Sequence, residues 1–235
     1  MKNKIVIILT ISFMSLLLSS CNNSFVDARD GKKYRTVKIG KQTWMAENLN
    51  YKVEGRSYCW GGKSQNCDKY GRLYTWATAI DRTENECGAY KKECIIPSSN
   101  IQGVCPDGWH LPSVYEFQDL LIAVGKKKNI AGINLKSTSG WRERRDKDGN
   151  IKGCGKNTYD FNAVPTGIGY MDHKGTITES SSHGEDKAAM FWTSTMINNP
   201  SANVMSLSDF NDDATLPALD KNWLVSVRCI KNESD

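Results

Sequence analysis

The spacing of the eight cysteines limits what this chain can fold into. Cys21 stands apart at the end of an apolar N-terminal segment, which leaves seven in the body of the chain. Cys59 and Cys67 bracket a polar loop of seven residues, and Cys87 and Cys94 bracket one of six, rich in Gly and Lys, so each pair is expected to form a local staple. Cys105 and Cys229 then make the long pair. In the loop-closure model a bridge over about 124 residues removes roughly 5 kcal/mol of unfolded-state entropy, about twice what a loop of about eight gives. Cys154, within Lys152-Gly153-Cys154-Gly155, is the candidate free thiol. Disulfides on this scale belong to an oxidising compartment. A zinc site is the competing use of cysteine, but no CxxC occurs, and His110, His173 and His183 lie far in sequence from the paired cysteines.

The N-terminus supplies the route to that compartment. Lys2 and Lys4 precede an uncharged apolar run over residues 5–18, and Leu18-Ser19-Ser20-Cys21 follows. This is the order of a signal peptide, and the run, at about 14 residues, is shorter than the roughly 20 needed to span a bilayer. The tetrad resembles the lipobox of bacterial lipoproteins, which implies diacylation at Cys21 and a membrane anchor of more than one chain. The expected organisation is a signal peptide over 1–20, a lipidated tether over 21–26, one domain over 27–231 and a tail over 232–235. Asn22, standing where an Asp does not, points to an outer membrane or cell surface. The formal charge of +5 includes both signal-peptide lysines, and the small remainder gives no reason to expect nucleic acid as a partner. With 24% charged and 39% hydrophobic residues, disordered, collagenous and polytopic membrane chains are excluded.

Periodicity places the main elements. Residues 34–39 alternate, with Arg35, Val37 and Ile39 on one side, and Gly40-Lys41 turns the chain into residues 42–45, which reads as a hairpin. Leu73, Trp76, Ala77 and Ile80 stand at i, i+3, i+4 and i+7 and predict a first helix within residues 70–80. Ser113-Val114-Tyr115-Glu116 matches a capping box, Phe117, Leu120, Leu121 and Val124 follow at helical spacing, and Gly125 ends the run. The cap accounts for Glu116, so Glu116 and nearby His110 are not read as an acid/base pair. Residues 131–184, dominated by Gly, Ser, Asn, Asp and Thr, are expected to hold short strands and functional loops. Residues 190–195 and 204–207 read as strands. Residues 223–230 are the clearest strand, with Val225, Val227 and Cys229 facing one way. The expected fold class is α+β: two helices in the first half, short antiparallel sheets and long loops, stapled by disulfides.

Five stretches together resemble a known family: Trp44-Met45-Ala46-Glu47-Asn48-Leu49-Asn50-Tyr51, Tyr70-Gly71-Arg72-Leu73-Tyr74-Thr75-Trp76, Cys105-Pro106-Asp107-Gly108-Trp109-His110-Leu111-Pro112-Ser113, Phe191-Trp192-Thr193-Ser194-Thr195 and Ser226-Val227-Arg228-Cys229. Their order and spacing are similar to those of the Fibrobacter succinogenes major paralogous domain family. The resemblance implies an exported, frequently lipid-anchored domain with a C-type-lectin-like fold, distantly similar to the formylglycine-generating enzyme superfamily. It supports a bridge between Cys105 and Cys229 and implies no established reaction or ligand.

The function expected from these readings is a non-catalytic binding or adhesion module for glycan or protein on the cell envelope. Trp141, Tyr170 and Trp223 are the candidates to stack on sugar rings, since aromatic faces offer apolar area at little entropic cost. An oxidative enzyme of the formylglycine-generating type is the alternative. It needs activated thiols or a metal, whereas six of the seven cysteines have structural partners, and GxSxG, HExxH and GxGxxG are absent. A purely structural envelope lipoprotein is the third reading. No cofactor is expected beyond a weak calcium site at Asp209, Asn211, Asp213 and Asp212. Ala214 at the sixth position, Pro217, and Asp220 in place of a bidentate Glu make a poor EF-hand. Asp146, Asp148 and Asn150 form a similar cluster, but Asp148-Gly149 reads as a hairpin turn.

Overall fold

The computed structural model describes residues 23–90, 94–96, 100–172, 174–177 and 184–233. The expected signal peptide over 1–20, Cys21, Asn22, His173, His183 and the last two residues of the tail lie outside the described residues. Among those described, no helix is long and apolar enough to cross a membrane.

The alternating run near the N-terminus forms the strand Lys33–Ile39, and Gly40, at φ 60°, turns it into Gln42–Met45. This hairpin lies in an antiparallel sheet ordered Ser24–Val26, Lys33–Ile39, Gln42–Met45, Ile230–Lys231 and Trp109–His110. A larger sheet runs Ala218–Asp220, Ser201–Ser208, Ala188–Met196, Trp223–Ser226, Leu73–Tyr74 and Ser57–Tyr58, with Gly169–Tyr170 added onto the start of Trp223–Ser226. Here the expectation of purely antiparallel sheets is corrected. Phe191 pairs in parallel with Ser226, because the chain runs out through Ser201–Ser208 and Ala218–Asp220 on one side of Ala188–Met196 and then crosses over to its other side within the same sheet.

The strand expected over residues 223–230 is broken at 227–229, where the chain leaves one sheet and enters the other. Its alternation survives the break. Val225, Val227 and Cys229 are buried in one hydrophobic cluster with Trp76 and Trp192, while Ile230 faces a second with Trp44, Phe117 and Phe161.

Among the described residues five α-helices replace the two expected: Ser64–Tyr70, Trp76–Ala79, Glu84–Cys87, Val114–Ala123 and Ala131–Leu135. The helix expected within 70–80 starts only at Trp76, because Thr75 caps it, accepting at Oγ1 from the Thr78 amide at 3.3 Å. Leu73 upstream is paired in the sheet with Tyr58 and Ser226. The helix Val114–Ala123 carries both halves of the Ser113–Glu116 capping box, and Gly125 follows it at φ 115°. Disulfides join Cys59 to Cys67, Cys87 to Cys94 and Cys105 to Cys229, the pairs that the spacing predicts, and Cys154 is unpaired.

Arg228 ties the two sheets together. It is fully buried, with its guanidinium carbon 4.5 Å from the centre of the Phe161 ring and 5.0 Å from that of Phe191. Nη1 donates to the Phe161 carbonyl and Nη2 to Oδ1 of Asn48. The amide of Asn48 donates in turn to the Tyr70 carbonyl at 2.9 Å and lies 3.3 Å from both Thr166 Oγ1 and Ser226 Oγ. Burial pulls the guanidinium down to about 9, still cationic at neutral pH.

Candidate functional site

Two of the aromatic candidates are brought together by strand pairing. Trp223 sits opposite Tyr170, and their rings are 5.2 Å apart at 63°, both half-buried. Gly169 makes this seating feasible: a Cβ there would stand 3.0 Å from Leu224 Cδ1 and 3.2 Å from its Cβ. The neighbouring Tyr90 hydroxyl, and after it burial, hold the Tyr170 phenol above its ordinary value. Tyr90 is 65% exposed.

Beside this pair is a cavity of about 330 Å³ lined by Glu84, Tyr90, Met171, Asp172 and Asn222, among others. Glu84 opens the short helix Glu84–Cys87, whose N-terminus Thr83 and Glu86 cap reciprocally. The Thr75 hydroxyl donates to Glu84 Oε1, while buried Oε2 meets no hydrogen-bond partner in the protein. Burial raises the pKa of this carboxyl. The cavity itself presents the Tyr90 ring next to amide and carboxyl groups, with the Trp223–Tyr170 pair adjoining it through Met171 and Asn222, which suits a ligand with one apolar face and several hydroxyls. Tyr90, Glu84 and Asn222 were not singled out in the sequence. They lie far from Tyr170 along the chain or carry no local signal, and only the fold collects them.

Trp141 is corrected as a stacking candidate. It is 4% exposed, its indole N–H lies 3.1 Å from Ser137 Oγ and 3.2 Å from the Ala163 carbonyl, and Lys136 covers its ring at 5.2 Å. Both face and donor are used inside the core. Cys154 is half-buried beside it, with its sulfur 3.9 Å from the Trp141 carbonyl.

Two of the acids considered for calcium, Asp209 and Asp213, are held by cations of the protein. Buried Asp209 receives Arg142 through Nε at 2.8 Å and Nη2 at 2.7 Å, with Arg144 at 3.7 Å. Asp213 is bound by Lys126, and Asn211 Oδ1 accepts from the Asp213 amide at 2.8 Å. The Asp212 carbonyl accepts from the Ile133 amide at 2.8 Å. Lys136, fully buried, places its ammonium 3.1 Å from the Ser208 carbonyl and 3.0 Å from that of Asn211. Among the described residues, no three His, Cys, Asp or Glu side chains converge as a ligand set. Asp146 closes its own turn, accepting from the amides of Asp148 at 3.0 Å and Asn150 at 2.9 Å.

A family model described as the Fibrobacter succinogenes major domain matches residues 37–231. The chain belongs to this family. No curated protein and no solved structure matches it. In this Fibrobacter succinogenes major domain the matched span contains every residue named above for the aromatic cavity and all three disulfides. It also contains a second polar constellation. His110, almost fully buried on the strand Trp109–His110, meets Glu116 through Nε2, while Glu116 Oε2 accepts from the Ser113 amide at 2.7 Å and hydroxyl at 2.8 Å. Glu116 therefore caps its helix with one oxygen and binds His110 with the other, so the capping box alone does not account for it.

Proposed function

We propose that the chain is an exported lipoprotein of the cell envelope, anchored through Cys21 in the outer membrane or at the cell surface. Its Fibrobacter succinogenes major domain, with a C-type-lectin-like fold, acts without catalysis as a binding module for glycan. The observation that carries the binding reading is the Trp223–Tyr170 pair beside the cavity of Glu84, Tyr90 and Asn222. A sugar ring offers an apolar face for the aromatic edge and hydroxyls for the amide and carboxyl groups. The cavity's scale, at the small-ligand end, favours glycan over a protein surface. The anchor rests on Leu18-Ser19-Ser20-Cys21.

An array of envelope polysaccharides probed with the detergent-solubilised full chain tests the binding. A hit should weaken about tenfold in Trp223→Ala and in Tyr170→Ala, the loss of roughly one aromatic contact. Undiminished binding in both variants would place the glycan elsewhere. For the anchor, labelled palmitate should enter the wild-type chain and not Cys21→Ser. Label in the variant would remove the lipoprotein reading.

A further inference from the structure

A second cavity, of about 300 Å³, lies between the first hairpin and the helix Ser64–Tyr70, and it shares no lining residue with the aromatic one. Its buried lining includes Arg228 and Asn48, and its exposed lining includes Lys33 and Lys69. Two residues of this lining each carry a buried polar atom that meets no hydrogen-bond partner in the protein: Arg228 the donor Nε and Asn50 the acceptor Oδ1.

Arg228 also lacks an ion-pair partner; Glu47 favours its charge only from a distance. Its bonds go to two carbonyls and an amide, and among the described residues no carboxylate is in ion-pair reach. Glu47, in the lining, is engaged by Arg35, with Nε at 3.1 Å and the backbone amide at 2.9 Å. Exposed Asp68 is the other acid there, against Lys32, Lys33, Lys69 and Arg228. A buried charge without a partner and a buried polar atom without a bond each cost free energy, and a ligand that meets both needs recovers it. The cation calls for an anion, and the unmet acceptor calls for a hydroxyl.

We propose that this cavity binds a sugar acid, its carboxylate held by Lys33 and Lys69 over the Arg228 guanidinium and a ring hydroxyl donating to Asn50. The proposal does not rest on the aromatic site and stands if that reading fails.

Calorimetry on the detergent-solubilised full chain tests it, with galacturonate as probe and galactose, N-acetylglycine and inorganic phosphate as comparators. Galacturonate should bind, and each comparator, lacking either the anion or the sugar hydroxyls, should bind at least about tenfold more weakly. The double variant Lys33→Glu, Lys69→Glu should lose about tenfold, and the charge-matched Lys127→Glu, Lys147→Glu should bind as wild type. All four lysines are exposed, so the fold is expected to persist, which near-UV circular dichroism checks. No heat with galacturonate, equal binding of N-acetylglycine or phosphate, or an equal loss in both double variants would overturn the assignment.

Discussion

Nε2 of His110 stands 2.7 Å from Oε1 of Glu116, while its Nδ1 meets Oδ1 of Asn232 at 2.6 Å. Both ring nitrogens thus face oxygens, and the doubly protonated ring suits the site. Burial alone would lower the His110 pKa, but the bonds to Glu116 and Asn232 outweigh it and hold the ring above its ordinary 6.5. Burial would likewise raise Glu116, but His110 and Ser113 hold it below its ordinary 4.5.

This pair predicts a stability profile. The His110 contribution is complete below 6.5 and fades as pH rises through the folded value. The Glu116 contribution is present above 4.5 and fades as pH falls through its own. The pair therefore stabilises most between those two values. Thermal midpoints measured from acid to mildly alkaline pH should decline above 6.5, and His110→Gln should flatten that decline. An unchanged slope in the variant would contradict the assignment.

Removing the long disulfide should cost more than removing a short one. The Cys105→Ala, Cys229→Ala pair is expected to lose about 5 kcal/mol and the Cys59→Ala, Cys67→Ala pair about 2.5 kcal/mol, following the lengths of the loops they close. Urea denaturation of the two double variants compares them directly. Equal losses would mean that loop entropy does not set the order.

Gly155→Ala should destabilise the domain by about 1–3 kcal/mol or more, as overpacking does. A Cβ at this position would lie 2.0 Å from the Lys136 carbonyl oxygen and 2.3 Å from its carbon, and backbone cannot yield as a side-chain tip can. The same urea assay reads the effect, and a wild-type midpoint would show that the loop moves freely.

Asp209→Ala should lower stability by about 1–3 kcal/mol, because it removes the charge-assisted bonds to Arg142, whose side chain is 36% exposed and can rehydrate. The drop should be the same with chelator and with millimolar calcium. A wild-type midpoint that rises with calcium and a variant that ignores it would restore these acids as ligands.

Local grammar was the part of the fold that could be read in advance. The helix Val114–Ala123 was legible because its start signal, Ser113 with Glu116, is complete within four residues. The run at 70–80 misled because Leu73, Trp76, Ala77 and Ile80 are all buried, for two different reasons: Leu73 in a strand, the others in or beside a four-residue helix. Alternation over 223–230 was visible, but the break was not, since it depends on partners at Tyr74, Trp44 and His110. At the candidate site the same limit applies. Trp141 and Trp223 both follow short polar runs, and the surrounding sequence suggests the opposite of what packing does: Trp141, amid polar residues, is buried, while Trp223, at the head of an apolar strand, stays half open. The acids at 209–213 have a local spacing, whereas the cations that hold them, Arg142 and Lys126, come from far along the chain.

Because Trp223–Ser226 is an interior strand of one sheet and Ile230–Lys231 of the other, the order of synthesis runs against the order of assembly. Until the ribosome reaches these residues, each sheet has a gap through its middle, and no earlier segment fills it. A chain lacking residues 223–231 would leave both sheets without an interior strand, so neither sheet can close before these residues are in place.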